Sequence, residues 1–380
     1  MSLLVSTLTD VDRRVVDLVL AEQHRLRPRV GVPGRWAGLM RLLKRLAVAR
    51  AVHGSVAIEG RSASVDDAFA ALDDEEPLDA TGDDWQALRG HRDALTYVLQ
   101  LSQEPDAKLS ADLVKPLHFL LGRHDLAERP GLWRSDRASA DDAYDHLGPG
   151  ADDVPALVRD VARQTQDPEV PVLVRAAMAH LNLVAIHPFR SGNGPLARCV
   201  HTLLLASGDR AVAPEFAAID EHLGRNAEDY RRVLGEVTGN GWPPERDARH
   251  WVRFCLTAHY RQARRLARRA ELVSHLWIDA EERVASAGLP ERCVQPLTYA
   301  LTGGWLRNAT YRQLVPDLSK NLASRDLNDL VKAELLEPVG EKRGRRYQPS
   351  AALSAVAAGH RAEAARLFDV DADPYRVLGA

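Results

Sequence analysis

The sequence predicts a mainly α-helical protein with one short β element near its C-terminal end. Apolar residues recur at helical spacing through most of the chain, as at Val11, Val15, Val16, Leu18, Val19 and Leu20 over residues 9–29. Compact Gly/Pro clusters such as Arg129-Pro130-Gly131-Leu132-Trp133-Arg134 interrupt the helical blocks. Extended patterning is confined to two short pieces, Leu336-Glu337-Pro338-Val339 and Arg346-Tyr347, around a basic Gly turn.

The elements follow in order. Residues 36–60 form a second helical block. The run Asp73-Asp74-Glu75-Glu76-Pro77, with Asp79, Asp83 and Asp84, is too charged for a buried element and reads as a solvated loop. Residues 85–125 read as two helices. The segment 135–153 is Asp/Gly-rich and almost without β-branched residues, so it carries no strand signal. Helix returns over 154–166 and 171–185. Leu196 to Leu205 is strongly apolar and reads as a buried central helix. Helical signals continue at 220–237 and 247–276. Residues 309–336 then read as helix, turn, helix. With the two extended pieces that follow, this part resembles a winged-helix domain. A last helix over 351–368 and a polar tail close the chain.

Composition excludes several classes. At 380 residues the chain can bury two or three cores. A formal net charge of −3 and 45% hydrophobic residues give an ordinary soluble profile. No run of about 18 apolar residues occurs, so no membrane helix is expected. Met1-Ser2-Leu3-Leu4-Val5 has no basic region or cleavage-site pattern. Cys199, Cys255 and Cys293 are far apart and odd in number, offering neither a disulfide framework nor a metal pattern. A cytoplasmic protein without a membrane partner is the expectation.

The chemistry is concentrated in Ile186-His187-Pro188-Phe189-Arg190-Ser191-Gly192-Asn193-Gly194-Pro195-Leu196-Ala197-Arg198. Pro188 disfavours helical φ/ψ at His187, so a helix should end there with the imidazole ring projecting into a site. Gly192 and Gly194 let backbone approach a ligand closely. Asn193 is a suitable N-cap. A helix starting after it would aim free N–H groups and a positive dipole end at an anion. Arg198, one turn in, can reach phosphate oxygens with a guanidinium fork.

This run closely resembles the signature loop of Fic-domain proteins, His-Pro-Phe-x-acid-Gly-Asn-Gly-Arg-x-x-Arg. The resemblance implies a Fic helical bundle with a small flap, and transfer of AMP from ATP to a protein Ser, Thr or Tyr hydroxyl, the chain's own included. His187 would be the general base, as suits a group titrating near neutrality. Gly192, Asn193 and Gly194 would cradle phosphates, and Arg198 would hold the outer ones. Ser55-Val56-Ala57-Ile58-Glu59-Gly60 resembles the family's inhibitory motif, which implies a Glu59–Arg198 ion pair blocking the γ-phosphate. The alternative is a surface glutamate before a C-cap glycine. Asn226 and Tyr230 resemble residues lining the family's nucleotide pocket, with plain helix packing as the alternative. The family's β-hairpin flap would follow Gly131 to Arg134, where 135–153 lacks strand formers.

Two positions depart from the signature. Ser191 stands where the family acid holds Mg²⁺ or Mn²⁺, and a neutral hydroxyl is a poorer ligand than a carboxylate. A metal at a transferring phosphate supplies several kcal/mol. At about 1.4 kcal/mol per tenfold, its loss would cost about two decades or more in rate. Pro195 replaces an arginine and also lacks an N–H, yet suits a first helical turn. The expected division is an N-terminal helical part with the inhibitory motif (1–84), a Fic core (85–276), a winged-helix-like part (277–350) and a C-terminal helix and tail (351–380).

The first functional expectation is a self-inhibited adenylyl transferase, weakened or altered at Ser191 and Pro195. The alternative is a catalytically silent nucleotide sensor acting through the winged-helix part on DNA or a protein partner. A homodimer is compatible with either. Arg261, Arg264, Arg265, Arg268 and Arg269 share a helix face, which reads first as pairing with acidic segments. Lys342, Arg343, Arg345 and Arg346 crowd the basic turn. Over 291–350, however, 10 Lys/Arg stand against 7 Asp/Glu, a net of only +3, so DNA is the less favoured partner.

Overall fold

The computed structural model describes residues 3–26, 36–104, 107–135, 148–208, 213–239, 242, 247–341 and 344–379. Helices α1 (Asp10–His24), α2 (Trp36–Ile58), α3 (Val65–Ala71), α4 (Gly82–Leu101) and α5 (Ala111–Gly122) lead into α6 (Val154–Gln164). A helical hairpin of α7 (Val172–Ile186) and α8 (Asn193–Ser207) follows. Then come α9 (Asp220–Arg225), α10 (Ala227–Thr238) and the long α11 (Arg249–Ser286). The C-terminal part holds α12 (Val294–Leu301), α13 (Asn308–Leu314), α14 (Lys320–Lys332), β1 (Leu336–Val339), β2 (Arg346–Pro349), α15 (Ala351–Leu367) and α16 (Pro374–Val377). The architecture is mainly α, as the periodicity predicts. None of the described helices is long and apolar enough to cross a membrane.

Local sequence explains the helix starts. Thr9 and Ser64 close capping boxes with Asp12 and Asp67, satisfying two N–H groups reciprocally at the starts of α1 and α3. From Leu173 to Ile186 all but one residue of α7 are buried, so this helix needs no polar face and runs through the middle of the molecule. Two apolar clusters result. One gathers α1, α5–α8, α10 and the first half of α11. The other gathers most of α2, α3, the second half of α11 and α12–α15. Helix α11 belongs to both and joins them.

Three expectations change. The 247–276 signal extends to Ser286, because nothing in Trp277–Ser286 stops a helix before Gly288 (φ +65°) and Pro290. The 220–237 signal divides at Asn226. There the side-chain Nδ2 takes the His222 carbonyl (2.8 Å), which the backbone N–H of a continuous helix would use, and that N–H turns to Leu223 instead. The acidic run from Asp73 to Pro77 is a loop, but a paired one: Asp73 meets Arg45, and Asp74 meets Arg92 at 2.7 Å and Arg89 at 3.3 Å; Asp83 and Asp84, expected in the same loop, open α4 instead.

In the C-terminal part α12–α14 precede an antiparallel pair in which Leu336 faces Pro349 and Val339 faces Arg346. Leu306 adds a bridge to Tyr347, with N–H···O distances of 3.1 and 2.8 Å. Most of the expected flap, 136–147, lies outside the described residues, as do Lys342 and Arg343.

Candidate functional site

The α7–α8 turn is built as a braced loop. Helix α7 ends at Ile186, and His187 takes a left-handed conformation (φ 51°, ψ 63°). For a residue with a Cβ this costs on the order of 1 kcal/mol and needs outside support. Arg134 provides it. Its Nε donates to the His187 carbonyl (2.6 Å) and its Nη2 to the carbonyls of Ile186 (3.3 Å) and Pro149 (2.7 Å), while its backbone N–H donates to Pro188 (3.0 Å). A buried guanidinium thus covers the C-terminal carbonyls of α7, where a cation is favoured by the helix dipole.

Asn193 is not the N-cap expected of it. Its side chain accepts the Phe189 N–H (2.9 Å) and donates to the Phe189 carbonyl (3.0 Å), tying the loop back on itself. Gly192 takes the cap position in a left-handed conformation (φ 71°, ψ 13°), with no side-chain cap bond. A Cβ there would be strained and would press on His118 Nε2 at 3.2 Å. Gly194 and Pro195 lie in the first turn of α8, where the N–H that proline lacks has no helical partner in any case. The fold therefore accepts Pro195, and the N–H groups left at this helix start still suit an anion.

His118, on the apolar face of α5, holds the loop from below. Gly131 N–H donates to its Nδ1 (2.9 Å), so Nε2 carries the proton and donates to the Ser191 carbonyl (2.8 Å). The ring stacks on Phe189 at 3.7 Å and 3°. Burial lowers its pKa to about 4, which keeps it neutral near pH 7.

Beside the loop lies a cleft of about 430 Å³, lined by Glu59, Arg61, His118, Asp125, Glu128, Ser191, Gly192 and Pro195 among others. His187 is not among the lining residues and is only 5% exposed. Its ring therefore does not project openly, a correction to the reading from Pro188 alone. Arg190 is exposed and lines no part of the cleft.

Arg198 is 1% exposed and closely held by the end of α2. Its Nε donates to Ser55 Oγ (2.8 Å), and its Nη2 to the Ser55 carbonyl (3.1 Å) and to Glu59 Oε1 (2.7 Å). The expected Glu59–Arg198 pair is thus present as a contact. Behind it lies a second carboxylate that the sequence reading missed. Asp220 Oδ1 is 3.6 Å from Arg198 Nε and 3.7 Å from His91 Nε2. Burial pushes the Asp220 carboxyl up to about 6, against the pull of Arg198, and lowers His91 to about 3. Gly54 makes this possible. A Cβ on it would lie 2.3 Å from the Asp220 carbonyl oxygen, so α2 and α9 touch backbone to backbone.

Asn226 and Tyr230 lie elsewhere. Asn226 serves the α9–α10 break described above. Tyr230 is fully buried, with its hydroxyl 2.9 Å from His180 Nε2, so it packs the core and does not line the cleft. Three of the α11 arginines are paired. Arg269 meets Glu221 at 2.5 Å, Arg264 donates to the Asp369 carbonyl (2.6 Å), and Arg261 to that of Ala372 (3.3 Å). Cys199, Cys255 and Cys293 are buried, unlinked thiols.

At the loop, Ser191 contributes no carboxylate, and among the described residues no cluster of three metal-ligating groups includes loop residues. With a hydroxyl where the signature has a carboxylate, the loop offers a divalent ion a weaker ligand.

Residues 108–205 match the family model described as "Fic/DOC family". The matched stretch holds α5 to α8 and with them the α7–α8 loop, so this part of the chain is similar to the Fic/DOC family. Solved structures with the same fold include a Fic family protein from Desulfovibrio desulfuricans G20, 22% identical with a TM-score of 0.55, over 92% of this chain and 99% of that one. Fic-1 (aa134–508) from C. elegans is 22% identical with a TM-score of 0.54, over 68% of this chain and 72% of that one. A Fic-domain-containing signaling protein from Bacteroides thetaiotaomicron VPI-5482 is 16% identical with a TM-score of 0.55, over 67% of this chain and 97% of that one.

Proposed function

We propose that this protein binds ATP at the start of α8 and transfers AMP slowly to a protein Ser, Thr or Tyr hydroxyl, its own among them. The observation that carries the reading is the pairing of an anion-ready helix start at Gly192–Gly194 with an Arg198 tied to Glu59 one turn away. In the transfer, the hydroxyl oxygen attacks the α-phosphorus, the bond to pyrophosphate breaks, and His187 takes the hydroxyl proton. Three features make the step slow. Ser191 offers no charge to a Mg²⁺ or Mn²⁺ ion. Pro195 offers no guanidinium. His187 must be uncovered before a target reaches it. Glu59 adds a fourth restraint by occupying the guanidinium that would hold outer phosphates.

The test is incubation of the full chain and its Glu59→Gly variant with ATP and Mg²⁺ or Mn²⁺, read by intact mass and by labelling of lysate proteins. One added AMP per chain or on a target, larger in the variant and abolished by His187→Ala, is expected. No adduct in either form overturns transfer.

A second reading is favoured by the same three losses: a silent nucleotide sensor acting through α12–α14 and the β1–β2 hairpin, read as a winged helix. It predicts thermal stabilisation by ATP without turnover, and DNA or protein binding. Of its basic residues, Arg346 stacks on Trp305 at 4.2 Å, whereas Arg345 is exposed. Salt-dependent DNA binding lost on neutralising Lys342, Arg343, Arg345 and Arg346 would support DNA as the partner. No binding at any salt would leave a protein partner.

A further inference from the structure

Far along the chain from the α7–α8 loop, three side chains of metal-ligating type meet between α11 and α15. His275, His360 and Glu363 each present a ligand atom within 4.8 Å of the other two. The two imidazole rings are 5.3 Å apart between centroids. The carboxylates around them are arranged in a particular way. Asp279 Oδ2 lies 2.8 Å from His360 Nε2, and Glu271 Oε1 lies 3.6 Å from His275 Nε2. Glu271 and Asp279 flank His275 one helical turn to either side, on the same face of α11.

Each ring therefore has its Nε2 turned to a carboxylate and its Nδ1 left for another partner. In metal sites a carboxylate on one nitrogen holds the ring and raises the basicity of the other. On His360 the remaining nitrogen faces Glu363. His360 Nδ1 is 4.0 Å from Glu363 Oε2. Among the described residues His275 Nδ1 is buried and has no hydrogen-bond partner.

We propose that His275, His360 and Glu363 bind a divalent transition-metal ion of the Zn²⁺ type, with Asp279 and Glu271 as the outer carboxylates that orient the rings. Two imidazoles and one carboxylate suit Zn²⁺ and its neighbours, and do not suit Mg²⁺ or Ca²⁺, which take oxygen ligands. Ligand bonds of about 2.0–2.2 Å bring ligand atoms to roughly 3.4 Å from one another, so the side chains must draw in by up to about 1.4 Å. Glu363, with its side chain 60% exposed, has room to make that move. Three protein ligands leave one tetrahedral position for water.

The ion ties the C-terminal helix to the long helix that joins the two cores. That tie falls where packing is thin, because α15 buries only Leu353, Ala357 and Ala364.

The experiment titrates EDTA-stripped full chain with Zn²⁺ alone, by calorimetry and by thermal melting. One tight equivalent per chain and a rise in Tm are expected, with no such effect from Mg²⁺ or Ca²⁺. His360→Gln and Glu363→Gln should each weaken the site more than tenfold, and Asp279→Asn by about 10–100-fold. Glu363 is exposed, so its variant keeps the test valid if the histidine variant folds poorly. His24→Gln, at the exposed end of α1, controls for adventitious surface histidines and should change nothing. Absence of a stoichiometric Zn²⁺ equivalent, or an equivalent undisturbed by both His360→Gln and Glu363→Gln, overturns the proposal.

Discussion

Arg198 shows how a single side chain can be legible in one respect and opaque in another. Its place one turn into the helix that opens after the loop could be read from the spacing to Gly194, and a glutamate partner from the run Ser55 to Gly60. Neither Asp220 nor the bonds to Ser55 could be, because no motif links those pairs, 22 and 143 residues apart in the chain, to one another. The energetic consequence differs between partners. Removing Arg198 leaves the buried Asp220 carboxylate without its cation, whereas removing Glu59 leaves Arg198 with Ser55 and Asp220. Arg198→Ala should therefore cost about 3–5 kcal/mol of stability. Glu59→Ala, which empties a position whose side chain is 30% exposed, should cost about 1 kcal/mol or less. Urea unfolding of the two variants measures the difference, and equal losses would mean that the Asp220 contact contributes little. His118 is the other side chain hidden from a sequence reading. One histidine on an apolar helix face resembles any core histidine until the chain folds Gly131 and Ser191 onto its two nitrogens.

Among the elements, α2 controls the site through its last turn. Its end is signalled by Gly60 and covered by Arg231, which donates to the Ile58 carbonyl. Its position is set by the crossing with α9 at Gly54, a residue that looks like a mere helix weakness in the sequence. Gly54→Ala must push the two backbones apart, since no side chain can yield at 2.3 Å. A loss of about 1–3 kcal/mol is expected. The same shift draws Ser55 and Glu59 away from Arg198, so any AMP transfer should rise even as Tm falls. Intact mass and melting on one sample check both, and a fall in Tm with no change in transfer would uncouple the crossing from the restraint. The end of α7 was readable at Pro188, whereas α11 runs ten residues past its expected end, to Ser286. The Asn226 break was not readable, because it depends on which carbonyl one side chain captures.

At the scale of the whole molecule, the packed centre holds neutral histidines in an unusual number of places. His180 Nδ1 lies 3.3 Å from His201 Nδ1, and His201 Nε2 lies 2.8 Å from His259 Nε2, linking α7, α8 and α11 through their side chains. Burial lowers His91, His201 and His222 to about 3 and His118 to about 4, and holds His180 and His259 well below 6.5. Depressed folded values mean that their contribution is complete above about pH 6.5 and is lost as pH falls toward 3, because the unfolded chain binds the protons first. Each such group removes about 1.4 kcal/mol per pH unit across that window. Asp220, raised to about 6, acts oppositely between about pH 6 and 4, but one carboxyl cannot offset several imidazoles. Unfolding near pH 5 should take up several protons, and midpoints from urea melts should fall steeply from pH 6.5 downward. A flat profile from pH 7 to 5 would contradict the assignment. By itself the sequence determined the helical class, the place of the α7–α8 turn and the family of its loop, because periodicity, Pro188 and the glycines act within a few residues. Only the tertiary structure decided that His187 is covered, that Arg198 is held from two sides and that Tyr230 belongs to the core. Those outcomes depend on which distant surfaces meet, and in a close-packed interior that is set by the whole chain at once.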